Sequence, residues 1–201
     1  MAKAIWSVAP RARASETRER LLDAAAMLFY EHGFHAIGLD AILEEVGVTK
    51  TTFYNHFASK DELIVAVLLD RDERDMQAVR EEMVRRGGSA RDRILLVFDV
   101  LDDWFNDPEF KGCLFINASA QFPNPNDPVH QAATKHTQSL HAMLVELADE
   151  ARAQDPALLA KKLCMLIAAA ITLRQVACDP EAAHTAREMA VALLDRSLGG
   201  G

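Results

Sequence analysis

The chain is short of the features that mark several common protein classes. It has only three cysteines in 201 residues, an odd number set far apart. No disulfide framework is expected, and the reducing cytoplasm is the predicted compartment. Cys164 and Cys178 fall near one helical face but too far apart along the axis to bond within one helix. Aromatic residues make up just 6% of the chain. No run of alternating β-branched residues is long enough for a sheet, so the predicted class is all-α. The longest apolar run, Leu163 to Leu173, is interrupted by Thr172 and is too short to cross a bilayer. The N-terminus lacks the apolar segment of a signal peptide. A Gly-rich phosphate loop, a metal-ligand spacing and a nucleophile–base constellation are all missing, which argues against an enzyme, a metal site or a cofactor. His130, His136 and His141 scatter around their helix and do not read as zinc ligands.

Positive charge is also scarce. The sequence carries 22 Lys and Arg against 30 Asp and Glu, a net charge of −8. That balance opposes nucleic-acid binding until it is resolved along the chain. Residues 1–60 are balanced, and residues 61–201 supply the whole deficit. Affinity for DNA follows the charge facing the phosphates, not the total.

The stretch around which the rest is organised is Leu39 to Phe57, LDAILEEVGVTKTTFYNHF. Leu39, Ile42, Leu43 and Val46 share one helical face. Gly47 follows, a residue type that accepts positive φ at a sharp helix end, with Val48 as an apolar plug. Thr49 is a candidate N-cap for a second short helix, Lys50 to His56. Helix, tight turn and helix make the helix-turn-helix pattern, whose second helix enters the major groove. The bare pattern also occurs in helical proteins that bind no DNA. Upstream, Ser15 to His32 reads as a helix with Leu21, Leu22, Ala25, Leu28 and Phe29 on one face, stopped by Gly33, and Phe34 is expected to plug the core. Downstream, Ser59 and Glu62 form a capping box that opens a long helix to Arg86. Phe53 and Phe57 are expected to pack inward. Lys50 and Lys60 are candidate phosphate partners, and Thr17 and Arg18 sit where a helix N-terminus attracts an anion. Thr52 and Asn55 can reach base edges; Thr49 and His56 also face outward, His56 as a reader or a cap.

The ERLLDAAAMLFYEHGFHA run, the IL-EEVGVTKTTFYNHF run and the SKDEL that follows resemble the tetracycline-repressor-like (TetR/AcrR) transcriptional regulators over roughly residues 15 to 65. Gly38 stands where that family usually has Ser or Thr, and Thr51 where Gly is common. The resemblance implies a phosphate contact through the Tyr54 hydroxyl. It also implies a homodimeric repressor of a palindromic double-stranded operator, released by a small-molecule effector. The remainder of the chain is similar only in helical layout.

The expected organisation is therefore a basic arm (1–14), either plain terminal chain or an extra DNA contact; a three-helix DNA-binding head (15–60); and a body for ligand and dimer (61–201), about nine helices in all. Gly87-Gly88 breaks the long helix and Ser89 with Asp92 starts the next, with Ile94, Val97, Phe98, Leu101 and Phe105 as its buried stripe. Asp92, Asp99 and Asp103 lie opposite and read as a solvated face. Polar Asn117 and Gln121 beside Trp104, Phe105, Phe110, Phe115, Phe122 and Met143 form a candidate ligand pocket, against the alternative of ordinary core. Asp127-Pro128, Asp155-Pro156 and Asp179-Pro180 each place a capping acid before a proline, so helices are expected to begin near residues 128, 156 and 180. The helix to about Ala177 is apolar nearly all round and demands cover on two sides. Leu163, Ile167, Ala170 and Ile171 on it, with Ala186, Ala190, Leu193 and Leu194 on the last helix, are the expected four-helix dimer contact. Two rivals remain at this point, a helical adaptor that binds protein and a thiol-based redox regulator using Cys113.

Overall fold

The computed structural model describes Trp6 and residues 16–199. Among these the regular elements are nine helices: α1 (Thr17–His32), α2 (Leu39–Val46), α3 (Lys50–Tyr54), α4 (Lys60–Arg86), α5 (Ala90–Phe105), α6 (Leu114–Gln121), α7 (Pro128–Glu150), α8 (Pro156–Ala177) and α9 (Ala182–Leu198). The class is all-α, as the patterning required. The expected arm, residues 1–14, lies outside the described residues apart from Trp6.

The chain divides into two compact units, and the division does not fall where the long helix starts. One unit runs to Glu73 and takes in Cys113–His136; the other holds Arg74–Gly112, residues 137–199 and, of the first residues, Trp6. The N-terminal unit thus contains α6 and the starts of α4 and α7, which sequence patterning assigned to the body. α4 and α7 are the helices with residues in both units.

In the N-terminal unit, Leu21, Leu22, Ala25 and Phe29 of α1 meet Phe34, Ile42, Leu43 and Val46, all buried. Leu28, expected on that face, is only half-buried, and Ala26 takes the buried place. Gly47 is left-handed, φ 72 and ψ 40, and its N–H donates to Leu43 O at 2.8 Å. The turn is closed by Val48 N–H on the same carbonyl, which satisfies groups a helix end leaves open. Arg20 Nη2 donates to Val46 O at 2.5 Å and ties α1 to the end of α2. Asp72 of α4 accepts from His136 Nδ1 at 2.9 Å, and the His136 ring stacks flat on Phe115 at 3.7 Å.

In the second unit, α5 is buried almost all round, from Ile94 to Phe105, because α8 and α9 both pack on it. Its start is the expected box: Ser89 Oγ accepts from Asp92 N, and Asp92 Oδ2 accepts from Ser89 N. Asp155 caps α8 through Leu158 N. Asp179 instead accepts from Glu181 N, so an Asx turn precedes α9, which begins at Ala182 rather than at Pro180.

α8 resolves the all-round apolar pattern. Leu159, Leu163, Ile167, Ala170 and Ile171 are buried within the chain's own core. Leu158, Met165, Leu173 and Val176 remain exposed on the other side, as does Met189 on α9. Successive residues advance about 100° around a helix, which sets these groups on opposite faces. α8 has 22 residues and an 18-residue stretch of mean hydropathy 1.7, so by length and composition alone it is long and apolar enough to cross a membrane, a test that core helices pass as well. The apolar run Leu163 to Leu173 within it is shorter, bracketed by Lys161 and Lys162 on one side and Arg174 on the other.

Candidate nucleic-acid interface

α3 is a short helix whose inner side is fixed by aromatic burial. Phe53 is fully buried and Phe57 nearly so, with ring centroids 5.7 Å apart. That anchoring turns Lys50, Thr51, Tyr54, Asn55 and His56 outward, all of them exposed. The helix ends at Tyr54, two residues before expectation. Asn55 is its C-cap and His56 lies in the following turn, its N–H bonded to Phe53 O.

Thr49 has a local task. Its Oγ1 accepts from Thr52 N at 3.2 Å, the N-cap bond, and lies 3.0 Å from Thr52 Oγ1. The two hydroxyls pair with each other. Tyr54 is 55% exposed and rests edge-on against Phe53, ring centroids 5.3 Å apart. Arg18 holds its guanidinium 5.2 Å from the centre of the Phe57 ring, and Thr17, half-buried, opens α1.

The two lysines part company. Lys50 Nζ lies 2.8 Å from Asp40 Oδ1, and both side chains are exposed. The hydrogen bond and charge of Asp40 raise the Lys50 pKa. Lys60 turns inward: its Nζ donates to Phe34 O at 2.6 Å and sits 5.8 Å from the Phe29 ring centre. Partial burial lowers its pKa. Lys60 is therefore a strut of the N-terminal unit and not the free phosphate partner expected of it. Its carbonyl partner is 26 residues away, a pairing no local pattern announces. Thr51 and Asp40 were absent from the expected site. The exposure of the one and the lysine partner of the other bring them into it.

The expected ligand set is dispersed between the units. Trp104, Phe105 and Phe110 form a ring cluster in the second unit, with Trp104 and Phe110 4.9 Å apart. Met143, in that unit too, lines a cavity of about 460 Å³ with Met83, Arg80 and Glu146. Phe115, Asn117, Gln121 and Phe122 belong to the N-terminal unit. Gln121 is not a free amide. Its Oε1 accepts from Phe34 N and His35 N at 3.0 and 3.2 Å, and its carbonyl pairs with His35 Nε2. Phe122 packs against the Phe34 and His35 rings. These two residues clamp the α1–α2 connection instead of awaiting a ligand. The expected dimer residues are likewise spent inside the chain: of Leu163, Ile167, Ala170, Ile171, Ala186, Ala190, Leu193 and Leu194, all but half-buried Leu193 are buried. Cys113 is buried as well, Cys164 is half-buried with its thiol pushed up to about 11 by desolvation, and Cys178 is exposed.

A capped, aromatic-anchored second helix showing polar side chains, after a glycine turn, defines a helix-turn-helix DNA-binding protein with a helical body. The chain matches "Bacterial regulatory proteins, tetR family" over residues 21–67 and "Tetracyclin repressor-like, C-terminal domain" over residues 90–190. It belongs to the TetR family of transcriptional regulators. A TetR-family regulator of Streptomyces coelicolor, SCO4454, is 31% identical in a solved structure, with a TM-score of 0.78 over 92% of this chain and 97% of that one. The Escherichia coli transcriptional repressor NemR is 29% identical over 138 residues, 68% of this chain and 69% of NemR. Its reduced form superposes with a TM-score of 0.80, at 26% identity, over 87% of this chain and 94% of that one. The transcriptional activator FasR of Mycolicibacterium smegmatis is 41% identical over 68 residues, 34% of this chain and 31% of FasR.

Proposed function

We propose that this regulator is a cytoplasmic, homodimeric repressor that holds a palindromic duplex operator with α3 and lets go when a small molecule binds its C-terminal helices. The observation that carries the DNA contact is the exposed row Lys50, Thr51, Tyr54, Asn55 and His56 above buried Phe53 and Phe57. Lys50 and Tyr54 serve phosphates, while Thr52 and Asn55 serve base edges. Arg18 and Thr17 add a contact at the start of α1. The repressor sign follows NemR, whose similarity spans far more of the chain than that of FasR.

Dimerisation is assigned to the exposed stripe Leu158, Met165, Leu173 and Val176 of α8, with Met189 of α9. An exposed apolar stripe of this length marks an interaction surface. Facing α8 and α9 pairs would form a four-helix contact and set two heads about 34–36 Å apart, or a multiple of it, on the duplex. The effector works only through a difference in affinity between operator-competent and operator-released conformations.

The test is a binding titration of the purified protein with duplex from its own upstream intergenic region, at several salt concentrations. Affinity should fall steeply with salt. Binding that ignores salt, or equal binding to unrelated duplex, would place the exposed row of α3 outside the DNA contact.

A further inference from the structure

One tryptophan stands apart from every role so far assigned. Trp6 precedes the first helix, yet it is 8% exposed and packs edge-on against Trp104, ring centroids 5.6 Å apart at 77°. Trp104 in turn meets Phe110 at 4.9 Å and Phe105 at 5.9 Å. A side chain of α8 braces the wall behind them. Arg174 donates to Phe105 O through both Nε and Nη2, at 3.2 and 2.9 Å, and its guanidinium lies 5.4 Å from the Phe110 ring centre. Its donors on that carbonyl are thereby committed, and the grip on Trp6 is aromatic.

The grip is also incomplete. The Trp6 indole Nε1–H is buried and has no hydrogen-bond partner. A buried tryptophan ordinarily finds an acceptor for this group, and leaving it bare opposes burial. The contacts to Trp6 are therefore made by its flat ring and leave its donor unused. Apolar slots that lose their side chain accept small aromatic molecules in its place.

We propose that Trp104, Phe105 and Phe110 form a seat for a flat, uncharged aromatic ring, that Trp6 is its resident occupant, and that a small aromatic ligand takes the seat by displacing Trp6. The proposal rests on the ligand-responsive reading above and names the chemical class of the ligand. Self-occupation weakens apparent affinity by the fraction of time the seat is free.

The chain has only two tryptophans, so full-length protein labelled with 5-fluorotryptophan gives a two-line fluorine spectrum, assigned with Trp6→Phe. Indole is the probe. The Trp6 line should move towards its solvent-exposed position as indole is added. Trp6→Ala should bind indole about tenfold more tightly than the wild type, and Trp6→Ala/Trp104→Ala should lose that gain. A Trp6 line unmoved at saturating indole overturns the proposal, and this measurement uses wild-type protein, so it stands even where a variant fails to fold. Equal indole affinity in wild type and Trp6→Ala overturns it too. Operator binding is followed separately. A moving Trp6 line with DNA binding intact keeps the seat and removes the ligand-responsive reading. DNA release with the line fixed keeps that reading and removes the seat.

Discussion

Lys50 and Asp40 form an ion pair across the helix-turn-helix, Nζ to Oδ1 2.8 Å, in full reach of solvent. The cation best placed for a phosphate is held by a carboxylate that a phosphate would repel. On the proposed phosphate contact, binding exchanges one partner for the other. Asp40→Asn should therefore tighten operator binding several-fold at low salt and leave the salt slope unchanged, as measured by fluorescence anisotropy. Lys50→Ala should weaken binding across all duplex sequences and reduce the salt slope by about 1. Unaltered affinity in both variants would show that this pair lies outside the interface.

Lys60 predicts the opposite behaviour. Its ammonium completes Phe34 O, so Lys60→Met should cost about 1–3 kcal/mol of stability through the carbonyl left bare. The salt slope of DNA binding should not change. Urea denaturation and anisotropy together separate these effects; a slope lowered like that of Lys50→Ala would return Lys60 to the phosphates.

Gln121 has the same character on the other side of Phe34. Gln121→Leu leaves two backbone N–H groups without their acceptor and should destabilise the N-terminal unit by about 1–3 kcal/mol per group it leaves buried. Gly33 beside it takes φ 87, and a Cβ there would stand 3.4 Å from the Gln121 amide. Hydrogen exchange at Phe34 and His35 should rise in Gln121→Leu. Unchanged exchange would mean that the clamp carries no weight.

The two faces of α8 separate folding from assembly. Met165→Asp and Val176→Asp place charge on the exposed stripe and should yield folded monomers by sedimentation equilibrium, with operator affinity lost. Leu163→Ala, in the buried face, should cost about 2–5 kcal/mol of stability and leave the association constant of the folded protein alone. A dimer that survives both charged variants would move the interface elsewhere.

Glu82 offers a test by pH. Arg85 is its principal partner and Arg86 a further one, and together they hold its carboxyl down to about 2 from an ordinary 4.5. A carboxyl depressed in the folded state contributes stability that is present above about 4.5 and lost as pH falls towards 2. The pairs lie along one helix at the surface, so the contribution should be under about 1 kcal/mol. Thermal melts of Glu82→Gln should show a shallower loss of stability than wild type across that window.

Much of the molecule was decided by residues near one another in the chain. Gly47 fixed the turn, Thr49 and Ser89 capped their helices, Asp155-Pro156 started α8, and the spacing of Phe53 and Phe57 set which side of α3 faces inward. Caps, turns and periodicity act within a few residues, so a linear reading captures them. Tertiary structure alone decided which of two lysines stays at the surface, since the Phe34 carbonyl draws Lys60 inward while Lys50 pairs with Asp40 in solvent. It alone spent the Gln121 amide on α1–α2 and drew Trp6 into the rings of α5. It also chose between the two apolar faces of α8. Both were hydrophobic enough to bury, and only the packing of α5 and α9 determined which one was covered.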